Sequence, residues 1–245
     1  MDSLSNEFKK IVEGKPQAES PVLESQPPSF APERSRMLAC GLDPIEPVPR
    51  ANFTWFNPAL HKTREGRQEA EALMLEFKAW SSDAEPNHKF VTVLGGVGIG
   101  KSELAKTAVW RLTPEWHDRH SYYITAADFD RRVKDFASSK QNGSVSVDPD
   151  IWVERLAATE NLVIDDIGAG YIDKGWTQSR LERLIDLRYR YKLPTVIISN
   201  LSKKNLTAEI GARAFSRLSD TSMGIMLEIT HLADVRRLEG RASNG

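Results

Sequence analysis

The chain carries a single cysteine, Cys40, and no continuous apolar run near the ~20 residues that cross a bilayer as a helix. The first scarcity excludes an internal disulfide and a cysteine-cluster zinc site, and it makes Cys40 a small buried or linker residue. The second excludes a membrane-spanning helix, and no membrane partner is expected. Excess charge of one sign is also missing: 33 Lys and Arg stand against 34 Asp and Glu, a net charge of -1. That balance excludes bulk positive charge as a means of coating nucleic acid, while a local basic strip stays open. The start of the chain lacks a signal-peptide apolar core, so the expected location is the cytoplasm.

What is present divides unevenly. The first fifty residues hold eight of the thirteen prolines, which leaves room for only short regular pieces there. Residues 1–15 read as a short amphipathic helix, with Leu4, Phe8, Ile11 and Val12 on one face and Gly14 and Pro16 ending it. Such a helix is marginal alone and suits docking on a partner; a frayed end or packing on its own domain is the alternative. Residues 16–49 read as a proline-rich linker, and residues 50–245 as the folded domain. At 245 residues with 40% hydrophobic content there is enough material for a substantial core.

The domain begins with a helical stripe, Ala70, Leu73, Met74, Phe77 and Trp80. Strand-like runs follow at Phe90–Leu94, Ser121–Thr125, Asn161–Asp165, Thr195–Ser199 and Gly224–Thr230, separated by helix-patterned segments. That alternation predicts an α/β fold with a parallel sheet covered on both faces.

Three strand ends carry chemistry. After the first comes Gly95-Gly96-Val97-Gly98-Ile99-Gly100-Lys101-Ser102, a complete G-x-x-x-x-G-K-[ST] phosphate loop, with Glu103 next in line. Glycines let successive amides point at an anion, Lys101 reaches the outer phosphates, and the Ser102 hydroxyl is offered to Mg2+. The third strand ends in Asp165-Asp166: Asp165 is placed to hold Mg2+, directly or through water, and Asp166 to orient or deprotonate an attacking water. The fourth ends in Asn200, an amide suited to a terminal phosphate or the lytic water. Further on, Arg213 and Arg217 stand four apart on one predicted helix face, where a guanidinium can be presented to another subunit's nucleotide or can lie as a solvated pair.

In order and spacing, about Leu38 to Leu238 resembles the AAA+ ATPases of the DnaC/DnaI helicase-loader family and their relative, the IstB transposition ATPase. The residues that carry the resemblance are Cys40-Gly41-Leu42-Asp43-Pro44, the loop Gly95 to Ser102, Ile124-Thr125-Ala126-Ala127-Asp128-Phe129, Val163-Ile164-Asp165-Asp166-Ile167-Gly168, Ile198-Ser199-Asn200-Leu201 and the arginine pair. It implies an AAA+ P-loop NTPase with a five-stranded parallel sheet flanked by helices, preceded by a proline-rich arm. It further implies ATP and Mg2+ as cofactors, Lys101 and Ser102 as Walker A, Asp165 and Asp166 as Walker B, and Asn200 as sensor 1. Arg217 becomes the arginine finger with Arg213 beside it, and Arg236 becomes sensor 2, with Arg237 the adjacent alternative. Asp166 stands where many AAA+ proteins carry Glu, which fits slow hydrolysis.

The function so implied is an ATP-dependent loader that places a DnaB-type replicative ring helicase on single-stranded DNA and assembles through arginine-finger interfaces. The alternative is an IstB-like helper acting with a transposase on duplex DNA. For single-stranded DNA, Phe129 to Phe136 interleaves aromatic and basic residues, yet Phe129, Val133 and Phe136 also have helical core spacing.

Overall fold

The computed structural model describes residues 32–82, 88–113, 121–141, 148–168, 173, 175–232 and 234. The N-terminal segment 1–15, Arg236 and Arg237 lie outside the described residues.

Five strands form one parallel sheet: β1 (Phe90–Gly95), β2 (Ser121–Thr125), β3 (Asn161–Ile167), β4 (Thr195–Ser199) and β5 (Gly224–Ile229), in the order β2-β3-β4-β1-β5. Four of them are nearly continuous apolar runs buried throughout, as expected for strands covered on both faces. Alternate side chains feed two cores. Phe90, Leu162, Ile164 and Ile197 point to one face, packed by α4 (Ala126–Gln141), α5 (Pro149–Ala157), α6 (Trp176–Arg190), α7 (Lys203–Ile210) and α8 (Ala212–Leu218). Val91, Val93, Val163, Val196 and Ile198 point to the other, packed by α1 (Pro32–Ala39), α2 (Arg64–Trp80) and α3 (Lys101–Leu112).

The predicted stripe of α2 buries as expected, with Ala70, Leu73 and Phe77 fully enclosed and the Thr63 hydroxyl capping the helix through the Gly66 amide at 3.0 Å. The α4 segment resolves its two readings toward the amphipathic helix. Phe129 and Val133 are fully buried and Phe136, partly buried, packs against the same core, so the apolar side of the segment faces inward and the Phe129 ring has no face left for stacking on bases. Arg131 and Lys134 pair with Asp128 and Asp130 of the same helix, each at 2.6 Å.

Proline content misplaces the start of the packed chain. Residues 32–42 are not linker: α1 forms there, and Met37, Cys40 and Leu42 sit in the core beside Trp110 and Tyr123. Pro32 is the first residue of this helix, where a missing N–H costs nothing. Beyond it the Cys40 carbonyl accepts from the Tyr123 amide at 2.9 Å, so the arm covers the exposed edge of β2. Gly41 makes the turn at φ +76°, and a Cβ there would lie 2.2 Å from the Tyr123 carbonyl oxygen.

Candidate functional site

All five strands run the same way, so their carboxyl ends gather the phosphate loop, the two aspartates and Asn200 along one rim, where ligands of such sheets bind. A cleft of about 440 Å3 opens there, lined by Val97 to Glu103, Asp165, Asp166, Ile198 and Asn200, together with Arg50 and Trp55.

The loop between β1 and α3 turns on Gly98 (φ 82°) and Gly100 (φ 91°), conformations that only glycine takes without strain. Gly95 has another reason to be glycine, since a Cβ would stand 2.8 Å from the Ile99 side chain. Gly96 has none within the chain: its φ is ordinary and a Cβ would meet nothing within 4 Å. The first-turn amides of α3, at Lys101, Ser102 and Glu103, face the cleft without intrahelical partners to come, an anion-binding arrangement. Lys101 is buried at 5% exposure and places its three ammonium hydrogens on Gly95 O (2.8 Å), Gly96 O (2.6 Å) and Asn200 Oδ1 (2.9 Å). Burial pulls its pKa below the usual lysine value, opposed by the charges of Asp165 and Asp166.

Consecutive residues of a strand point to opposite faces, so Asp165 and Asp166 could not both face one cleft from a regular strand. A bulge solves this. Ile164 pairs with Ile197 but Ile167 pairs with Ser199, which sets three steps of β3 against two of β4. Asp166 takes up the extra residue at φ 60°, a left-handed conformation unusual outside glycine. Ser199 pins the bulge, its hydroxyl donating to the Ile167 carbonyl at 2.5 Å.

Asp165 is 1% exposed and takes the Tyr123 hydroxyl on Oδ2 and the Asp166 amide on Oδ1. The Asp166 pKa is raised by burial first and by the Asp165 charge second. Asn200 stands between the two charged groups: its amide nitrogen donates to Asp166 Oδ1 at 3.0 Å while its carbonyl accepts from Lys101. Lysine, amide and carboxylate therefore form one continuous chain of contacts along the rim.

The arginines are elsewhere. Arg213 and Arg217 on α8 do not line the cleft of their own chain. Arg217, 24% exposed, binds Asp186 of α6 at 2.5 Å and lies over the Tyr189 ring, while Arg213, 69% exposed, reaches the same carboxylate only at 3.6 Å. Arg190 also binds Asp186, at 3.1 Å. Three guanidiniums thus share one carboxylate on an exposed face.

Sequence reasoning missed Arg50 and Trp55, which wall the cleft from outside the sheet with the guanidinium over the indole at 4.7 Å. Their signal, an arginine shortly before the aromatic run Phe53-Thr54-Trp55-Phe56, sat on the assumed linker boundary. The Trp55 indole nitrogen is buried at the cleft wall without a hydrogen-bond partner. Among the described residues no cluster of His, Cys, Asp and Glu forms a ready-made metal cage, and no helix is long and apolar enough to cross a membrane.

No protein-family model and no curated protein matches the chain. Solved structures do. The DnaC helicase loader superposes with a TM-score of 0.54 at 20% identity, covering 73% of this chain and 96% of that one. Domain III of the Thermotoga maritima replication initiation protein DnaA gives 0.56 at 18% identity over 80% of this chain and 76% of that one. AMPPCP-bound DnaA from Aquifex aeolicus gives 0.53 at 18% identity, covering 77% of this chain but only 55% of that protein. The shared property is the fold, a parallel sheet flanked by helices.

Proposed function

We propose that the chain is an ATP-dependent AAA+ switch of the helicase-loader type, acting on a DnaB-type replicative helicase at single-stranded DNA. The observation that carries the nucleotide part is the contact chain Lys101–Asn200–Asp166 along the rim of a cleft whose floor is a phosphate loop. A triphosphate entering the cleft would take first-turn amides of α3 and draw Lys101 from its loop carbonyls. Gly96, glycine for no reason internal to the chain, leaves room for it. The Trp55 ring with the Arg50 guanidinium stacked on it would give the base a flat wall to pack against.

Mg2+ fits the residues present: the Ser102 hydroxyl and the Asp165 carboxylate both border the cleft, and each Asp165 oxygen keeps a lone pair beyond the hydrogen bond it accepts. When bound, the cation would neutralise charge on the phosphates. Besides Asp165 the cleft is lined by the carboxylates of Glu103 and Asp166, and only Asp166 of these two is hydrogen-bonded to Asn200. Asp166 would receive the proton of an attacking water, with Asn200 holding both that carboxylate and the terminal phosphate in line. Its raised pKa makes it a better base than an ordinary aspartate, though one methylene shorter than glutamate, which fits slow turnover.

In this reading the arginine face acts in trans. Arg217, held against Asp186 and away from its own cleft, would neutralise the phosphates of a neighbouring protomer, so hydrolysis should need assembly. The specific ATPase rate is expected to rise with protein concentration, and Arg217→Ala is expected to flatten that rise. A specific rate that stays constant over the concentration series and is untouched by the substitution would exclude the shared site. Capture of a helicase, expected of full-length protein and lost on removing residues 1–15, separates a loader from a transposase helper.

A further inference from the structure

Tyr123 has a hydroxyl that packing does not require. The residue lies on β2, 6% exposed, with its ring among Cys40, Val163 and the aliphatic core beneath α3. A phenylalanine would fill the same space without burying an oxygen. The hydroxyl nevertheless has a partner: it donates to Asp165 Oδ2 at 2.5 Å. In the register of β2 and β3 the residue beside Tyr123 is Val163, and Asp165 lies beside Thr125, so the tyrosine reaches along the sheet toward the strand ends to make this bond. A phenol carries its proton at neutral pH, so the hydroxyl is the donor and the carboxylate the acceptor in this bond.

The bond fixes a carboxylate that has little else to hold it. Asp165 Oδ1 takes the amide of Asp166 at 2.6 Å, and Oδ2 takes Tyr123; the two together define the plane of the group and leave its free lone pairs for the cleft. Tyr123 is itself held from three sides. Its amide donates to Cys40 O, its ring lies 5.8 Å from the Lys106 ammonium, and Lys106 is ion-paired with Glu46 of the arm. Gly41 passes so close to its carbonyl that not even a methyl group would fit. The arm therefore clamps the tyrosine, and the tyrosine orients the acid.

We propose that Tyr123 is a positioning residue for the cation-binding carboxylate Asp165, contributing to Mg2+-dependent nucleotide binding without touching nucleotide itself. The proposal rests on the nucleotide reading above. Partners of this kind are worth roughly tenfold or more in metal affinity, because an unanchored ligand must be ordered when the metal arrives.

The test is calorimetric titration of AMPPCP into the full chain, with Mg2+ and with EDTA, for wild type, Tyr123→Phe, Asp165→Asn and the double variant. Tyr123→Phe should match wild type within about twofold in EDTA and bind roughly tenfold more weakly in Mg2+. In the Asp165→Asn background the tyrosine substitution should change nothing further, since its effect passes through that carboxylate. An unchanged Mg2+ affinity, an equal loss in EDTA, or full additivity with Asp165→Asn would overturn the proposal while leaving the nucleotide site intact. Failure of wild type to bind AMPPCP at all would overturn the nucleotide reading, and the tyrosine's role with it.

Discussion

Lys101 and Arg188 are two buried cations at opposite ends of the same sheet, 5% and 0% exposed. Both are pulled below their usual pKa by burial, Arg188 to about 9, which still leaves it protonated at neutral pH. Their partners differ. Arg188 spends all five donors on the entry side of the strands: Nε on the Thr195 hydroxyl, Nη1 on Ala157 O and Thr159 O, Nη2 on Glu160 O and Pro194 O. No carboxylate is among them, and every acceptor but one is backbone, at the end of α5, in the turn from α5 into β3, or just before β4. Lys101 has two loop carbonyls and an exchangeable side-chain amide, with two carboxylates across the cleft. One cation is bound to hold elements together. The other is bound in a way that an incoming anion can undo.

That contrast is broken most severely at Arg188. Substitution by Met removes five hydrogen bonds, four of them to backbone carbonyls, and the loss is expected to reach about 4 kcal/mol. The thermal midpoint should fall by about 10 °C in calorimetry, and Arg188→Lys, with three donors instead of five, should recover only part of it. A midpoint unchanged by Arg188→Met would mean that the two cations are not different in kind.

The smaller perturbation lies on the rim and has the opposite sign. Asp166 is destabilised by burial and by the neighbouring Asp165 charge, and its backbone is held at φ 60°. Asp166→Asn removes the charge and tolerates that conformation well, so it should raise the midpoint by about 2 °C while abolishing hydrolysis. The penalty exists only in the ionised form: it is complete above the raised folded pKa and absent below the ordinary carboxylate value of about 4. The advantage of the variant should therefore shrink as pH is lowered from 7 toward 4. A gap that is constant with pH would assign the effect to backbone strain alone.

How far the sequence alone reveals these regions follows from the same physics. The strands were legible because most of them are short apolar runs bounded by turn residues, and four of the five match the observed ranges to within a residue. The phosphate loop was legible because glycine spacing and a following helix are local properties. The bulge was not: nothing in Asp165-Asp166 announces the extra residue, which is defined only against Ile197 and Ser199 of the neighbouring strand. Arg188 reads as one more charge on α6, beside Arg183 and Arg190, and only the convergence of α5 and β4 gives it a role. Proline counting hid the packing of residues 32–42, since it marks what cannot extend a helix, not what a core can cover. Tyr123 and Asp165 stand forty-two residues apart, and their contact exists only once β2 lies beside β3.

The claim on which the rest depends is that Lys101 exchanges its loop carbonyls for phosphate. Titration of ATP into wild type and Lys101→Ala, with both proteins shown to melt within a few degrees of each other, addresses it directly. The account predicts saturable binding by wild type and a loss of at least about a hundredfold in the variant. Equal affinity in the two proteins, or no binding by either, would contradict it.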